Sequence, residues 1–430
     1  MQLKSQPPEP LASGTVLAQE PPQLCVQAPC ARTLVSAQNP LQVGLLTGGQ
    51  DRHYALGLAR ALIAQGACLD VIGSDLVDGP EMHATAGMNF LNLHGSTQDK
   101  NISVKIKRVA ASYVRLIWYA ATGKPKIFHI LWNNKFQLFD RTLLMLFYKL
   151  AGKKIVLTAH NVNAGRRDSN DSLLNRLSLG VQYRLADHIF VHTEKMKNEL
   201  LERFHVGKAA ATIIPYGINN AVPDTDLTSA EAKQRLGIRG GERTILFFGA
   251  IKPYKGLEYL VAAFQQIATT QRGYRLIIAG ERKKGSEEYL SKIQQTIGRD
   301  SSWEQVIQKI DFIPDDETEL YFKAADVAVL PYTEIFQSGI LFLAYSFGLP
   351  VIGTDVGSFR EDIVEGRTGF VCKPCDSGDL AVAIQRYFDD DLFRELEDRR
   401  QEIRDYAHAR HSWDTVGNLT RDVYLRLLAS

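Results

Sequence analysis

The stretch PYTEIFQSGILFLAYSFGLPVIGTDVGSFREDIVEGRTGF, Pro331–Phe370, reads as the end of a strand, a loop, a helix opening at Ser338-Gly339, a second strand and the small-residue loop Thr354-Asp355-Val356-Gly357. Strand, helix, strand in that order is the unit of a parallel α/β sheet. Backbone N–H groups and small residues therefore collect beyond the strand C-termini, where a ligand phosphate is well accommodated.

The same alternation extends outward in both directions. LQVGLL, then TGGQDR, then YALGLARALIAQG reads as a buried strand, a Gly-containing loop and a helix. Strands follow at CLDVIG, FLNLHG, IFHIL, KIVLTAH, HIFVHT and ATIIPYG, and a second set at TILFFG, RLIIAG, VIQKIDFI, VAVLP, PVIGTD and FVCK. Near-continuous Val/Ile/Leu runs imply sheets covered on both faces. The second set opens with a helix capped by Thr228. The organisation expected is two doubly wound α/β domains, residues 39–218 and 219–410, joined near 215–225 and facing one cleft. Residues 411–430 form a closing helix, and the Pro- and Gln-rich residues 1–38 a disordered leader.

This ordered series of motifs, from about Val43 to Tyr387, resembles the retaining GT-B glycosyltransferases of family 4, in a subgroup carrying Gln-Ser-Gly at positions 337–339. The resemblance implies two Rossmann-like domains and transfer of a sugar from a nucleoside diphosphate sugar to a glycan or lipid-linked acceptor. It also implies that the closing helix crosses back to the first domain. No metal or resident cofactor is implied, because lysines and helix N-termini would neutralise the diphosphate.

Residue by residue, Lys255-Gly256 matches the family's Lys-Gly, although the family's Arg falls on Ala250; Lys252 or Arg282 could supply that charge. Gln337, Ser338 and Gly339 would cradle the diphosphate, with Gln337 reaching a sugar hydroxyl and Ser338 capping its helix, and Gly249 and Ile340 would lie against the donor. The nucleotide base would rest near Phe312 and Ile313. The family's two glutamates fall on Ile335 and Leu343, so Glu334 is the candidate first carboxylate. His160 would bind or orient a hydroxyl beside the reacting carbon. Gly48 and Gly49 would let backbone approach the ligand, Tyr216 and Gly217 would line the hinge, and Asp51, Arg166 and Arg167 would meet acceptor or phosphates. Plainer readings stand beside these: a solvated Lys255, a Ser338 that only caps, a Gly-Gly turn, and packed strand histidines at His129, His188 and His192. Two rival functions also stand, a 2-epimerase of the same fold and a non-catalytic nucleotide-sugar-binding protein.

At 430 residues, 45% hydrophobic and 23% charged, the chain can build two cores, and its net charge of +2 argues against a nucleic-acid binder. No apolar run is long enough to span a membrane, and the cysteines form no metal-finger spacing, with Cys372 and Cys375 read as a loop pair. A cytoplasmic protein is expected. From Lys100 to Lys154, however, twelve lysines and arginines face one acid, Asp140. A helix there would bury Ile102, Ile106, Val109, Tyr113 and Leu116 and present Lys107, Arg115 and Trp118 outward. With Trp132 nearby, that pattern suits an anionic membrane surface at the inner face.

Overall fold

The computed structural model describes residues 40–96, 102–167, 171–218, 222–299 and 304–429, the side chains of Arg166 and Arg167 excepted. The leader expected over residues 1–38 lies outside the described residues. Seven parallel strands form the first sheet: β1 (Leu41–Leu46), β2 (Ala67–Gly73), β3 (Met88–Asn92), β4 (Ile127–Ile130), β5 (Lys154–Thr158), β6 (His188–Val191) and β7 (Ala211–Ile213), in the order β3-β2-β1-β4-β5-β6-β7. Six form the second: β8 (Arg243–Phe248), β9 (Tyr274–Ala279), β10 (Val306–Lys309), β11 (Val327–Leu330), β12 (Val351–Thr354) and β13 (Gly369–Cys372), ordered β10-β9-β8-β11-β12-β13.

Each strand order reverses once, between β1 and β4 and between β8 and β11. A crevice opens at such a reversal because the following loops turn to opposite faces. The residues after these four strands are therefore the ones placed for ligand: Gly48, Trp132, Gly249 and Tyr332.

Period-two alternation assigns the faces of the first sheet. Val43 and Leu45 of β1 pack towards the Arg52–Ala64 helix, with Val416 and Tyr424 of the Trp413–Ala429 helix in the same cluster. Leu46 faces the other side, with Leu116, Phe128, Tyr148 and Ile189. The capping box at Thr228 forms with Glu231.

The C-terminal helix is seated on the first sheet's layer. The Trp413 indole Nε1 donates to Ile218 O at 2.9 Å, and Tyr424 Oη lies 2.6 Å from His129 Nδ1. A Cβ added at Gly57 would stand 2.3 Å from the Trp413 ring, and one at Gly217 2.4 Å. Gly57→Ala should therefore lower stability by about 1–3 kcal/mol through overpacking. Gly180→Ala, where a Cβ meets nothing within 4 Å on the Leu173–Leu185 helix, should be neutral or stabilising. Denaturant melts of the two variants check the contrast, and equal effects would argue against the wedge.

The Ile102–Thr122 helix departs from expectation. Its buried residues are Ser112, Leu116 and Ala120, whereas Ile102 is 74% and Ile106 64% exposed. Only the second half packs on the sheet's cluster, so the first two turns carry apolar side chains with no core beneath them.

Candidate active site in the cleft

On the side of the second sheet, the chain leaves β8 through Gly249, held at φ 104°, and makes a single 3-10 turn at Pro253–Lys255. Gly256 follows at φ 64°, where a Cβ would come within 2.0 Å of the Pro331 carbonyl. That close approach is what the Lys-Gly pair achieves: it brings Lys255 under the end of β11. Lys255 is buried, and its Nζ donates to Tyr332 Oη at 2.6 Å, 4.3 Å from the ring centroid. The Ser338 hydroxyl lies 3.3 Å from the same phenol oxygen. Burial raises the Tyr332 pKa, so the phenol keeps its proton. The solvated reading of Lys255 is thus ruled out by its burial.

Ser338 occupies the N-cap position of the Gly339–Ser346 helix, but its side chain makes no cap hydrogen bond. The hydroxyl turns to Tyr332 instead, so the expected capping is corrected, and the first amides of that helix are not satisfied by it. Gln337 also differs from expectation: its side chain is directed to the buried Asp362 rather than outward. Burial pushes the Asp362 carboxyl up to about 6, and Ser358 and Gln337 act against that rise. The Gln337 Oε1 is enclosed and has no hydrogen-bond partner.

Glu334 is exposed, while Ile335 and Leu343 are buried, so no carboxylate takes the place of either family glutamate within the core. Lys252 is half-buried, 5.8 Å from the Tyr254 ring. Arg282 pairs by backbone with Ile251, but its guanidinium is engaged by Glu287 at 3.4 Å, which weakens it as the missing cation. Phe312 and Ile313 line a pocket of about 180 Å³ with Phe248, Gly249, Ala250 and Gly280, where the base was expected.

Across the cleft, β1 is followed by Thr47 and two positive-φ glycines. A Cβ at Gly48 would meet the carbonyls of Trp132 and Asn133 at 2.7 Å, so the close approach at this glycine is to the chain's own backbone. Gly48 and Gly49 line a pocket of about 320 Å³ with Ser74, His94, Arg108 and Tyr113. Asp51 caps the Arg52–Ala64 helix through Tyr54 N at 3.0 Å, and Tyr216 Oη lies 3.4 Å from its other oxygen. Tyr216 stacks on Phe342 of the other half, ring centroids 5.4 Å apart. Asp51, Tyr216, Gly339, Ile340 and Leu343 share a pocket of about 240 Å³ that spans the two halves. The backbone of Arg166 belongs to the Ala164–Arg167 helix, and its side chain lies outside the described residues.

His160 sits in an aromatic box. It stacks on Trp132 at 4.3 Å and 9°, meets Tyr54 edge-on at 4.6 Å, and has His192 Nε2 3.1 Å from its Nδ1. Trp132 is therefore a wall of the cleft and no part of a membrane-facing surface. The tautomers follow from the chain of contacts. His192 Nδ1 lies 3.2 Å from Ile214 O, which can only accept, so Nδ1 carries the proton and Nε2 of the neutral ring accepts. His160 Nδ1–H then donates to it, leaving His160 Nε2 as a bare acceptor, enclosed and without a protein partner. Burial holds His160 well below its usual pKa and His192 down at about 4. His129 and His188 are packed strand histidines as expected, bonded to Thr158 and Thr212.

Sequence reasoning passed over Tyr332 and the pair His53–Asp315, and read His192 only as a packed strand histidine. Tyr332 had a signal, an aromatic at a strand end inside the phosphate-binding stretch. His53 Nε2 reaches Asp315 Oδ1 at 3.1 Å, linking the start of the Arg52–Ala64 helix to the start of the Asp315–Ala324 helix across the cleft mouth. The hydrogen bond to Asp315 holds His53 above 6.5, with Asp51 adding and burial and Arg52 opposing; the same bond holds Asp315 below 3.8. The His53 contribution is complete below pH 6.5 and fades as pH rises through its raised pKa; the Asp315 contribution fades only as pH falls through its lowered one. Thermal melts should show wild type exceeding His53→Gln most at mildly acidic pH, with the gap closing above neutrality. A gap independent of pH would count against the pairing.

Two family models match this chain: Glycosyl transferases group 1 over residues 228–410 and Glycosyltransferase Family 4 over residues 47–222. The chain belongs to this glycosyltransferase family, on the GT-B fold. It is 30% identical over 280 residues to a glycogen synthase of Mycobacterium tuberculosis, an alignment covering 63% of each protein. It is 26% identical over 400 residues to a glycosyltransferase of Methanocaldococcus jannaschii, covering 88% of this chain and 94% of that one. Among solved structures, sucrose-phosphate synthase from Thermosynechococcus elongatus superposes with a TM-score of 0.72 at 20% identity, over 90% of this chain and 99% of the other. Anabaena HepE in complex with UDP and glucose does so at 0.70 and 16%, over 89% and 99%.

Proposed function

We propose that this chain transfers a sugar from a nucleoside diphosphate sugar to a glycan or lipid-linked acceptor, with retention of configuration. The observation that carries the proposal is the Lys255–Tyr332–Ser338 cluster at the strand-order reversal of the second sheet, beside the uncapped start of the Gly339–Ser346 helix. A departing diphosphate gains negative charge, and a buried cation with amide donors meets that charge where it develops. Across the cleft, His160 Nε2 would accept a hydrogen bond from a sugar hydroxyl and hold the ring, with His192 fixing its tautomer. Glu334, exposed at the same loop, and Lys252 would adjust to the bound donor. A relative in fold, HepE, is described as a complex with UDP and glucose, which supports a uridine-type donor as the first to try.

No nucleophile is assigned to the protein, so the attack would be guided by the leaving phosphate on the same face of the sugar. The test is a thermal-shift panel of sugar nucleotides followed by donor turnover. Slow release of nucleoside diphosphate, accelerated by acceptor, supports transfer. Formation of the 2-epimer, or tight binding with no turnover, would replace the proposal with an epimerase or a binding protein.

A further inference from the structure

We infer that the helical layer on one face of the first sheet is a docking surface for an anionic phospholipid bilayer, built from three elements rather than from one helix. On the Ile102–Thr122 helix the outward positions are Val104, Lys107, Val114, Arg115 and Trp118, and Trp118 is 70% exposed. In the adjoining 137–150 segment Leu143, Leu146 and Leu150 fall on one stripe and are all exposed. On the Leu173–Leu185 helix Leu173, Leu174, Leu177 and Val181 do the same.

The three elements are continuous. Tyr113 bonds Asp140 at 2.9 Å and stacks on Phe136, and Arg141 donates to Asn175 at 2.8 Å. A folded chain leaves this much contiguous apolar surface uncovered where a partner covers it.

Charge selects the partner. Between residues 102 and 154 the only acid is Asp140, which is buried, while Lys105, Lys107 and Arg115 stand exposed among the apolar side chains. Beside Leu177 and Val181, Arg176, Arg184 and Arg203 line a groove of about 960 Å³, with Asp171 paired to Arg176 and Glu199 to Arg203. Two copies of this face would set cation against cation. An anionic bilayer receives both parts, the indole and leucines among headgroups and acyl chains and the cations on phosphate. Among the described residues no helix is long and apolar enough to cross a membrane, so the contact is with its surface. The Gly48–Gly49 pocket borrows Arg108, Val109 and Tyr113 from the same helix, which places that pocket beside this surface. The docking surface stands independently of the transfer reaction.

Co-sedimentation of the full chain with phosphatidylglycerol vesicles, against phosphatidylcholine vesicles, tests it. Binding is expected only with the anionic lipid. Lys105→Gln/Lys107→Gln/Arg115→Gln should weaken it about fivefold per cation removed, an effect that salt erases. Val114→Ser/Trp118→Ser/Leu150→Ser should weaken it at every salt concentration. All six side chains are exposed, so thermal unfolding and donor binding should not change. Wild type left in the supernatant, variants that sediment like wild type, or a protein dimer that these variants dissolve would overturn the inference.

Discussion

Lys255→Ala is expected to reduce donor turnover about 10²–10³-fold, the range for deleting one preorganised charge donor at a developing anion. Lys255 is buried and anchored on Tyr332, so its ammonium is held in place before the donor arrives. Its effect should fall on kcat more than on KM, because the diphosphate gains charge as the sugar leaves. Lys255→Arg should not restore activity: a planar fork cannot occupy a point-charge site shaped by the Gly256 approach to Pro331. Tyr332→Phe keeps the ring under the ammonium and removes the 2.6 Å acceptor. About a tenfold loss in kcat with little change in KM is expected from a positioning residue of this kind. Single-turnover donor cleavage reads both variants, and Lys255→Ala within threefold of wild type would remove Lys255 from the mechanism.

The thirteen strands among the described residues were legible, most of them because parallel strands carry apolar runs that end at small-residue loops, as LQVGLL and VAVLP do. Lys255 and the Gln-Ser-Gly turn were singled out by the family resemblance, and the structure places both beyond strand ends. Side-chain direction was not legible. Ser338 at an N-cap position predicts capping, yet a phenol six residues earlier attracts its hydroxyl; Gln337 is drawn to Asp362, which is distant in sequence. The apolar period of the Ile102–Thr122 helix was real, but periodicity cannot tell how far a sheet extends beneath a helix. Ile102 and Ile106 therefore mark an exposed apolar end where a core was expected. Contacts between the halves, such as His53 with Asp315, depend on domain placement that no local pattern encodes.

His160→Ala is expected to lower transfer about 10²-fold, with His160→Gln retaining more because its amide oxygen can still accept a hydrogen bond from a hydroxyl. The argument rests on the proton chain Ile214 O, His192, His160, which leaves Nε2 of His160 unprotonated. His192→Phe removes the acceptor for His160 Nδ1–H and releases the tautomer, so it should reduce activity without touching substrate. Both imidazoles are held neutral by burial, His192 down to about 4, so neither should produce an activity limb near pH 6.5. Their effect on stability has a definite direction: the unfolded chain takes up protons below about 6.5 that the folded chain refuses, so stability falls as pH drops. His160→Gln should make the fold less acid-sensitive even as it slows the reaction. Denaturant midpoints from about pH 5 to 7, measured beside donor turnover, separate the two effects. An unchanged acid sensitivity in His160→Gln would show that the ring is not the buried neutral imidazole inferred here.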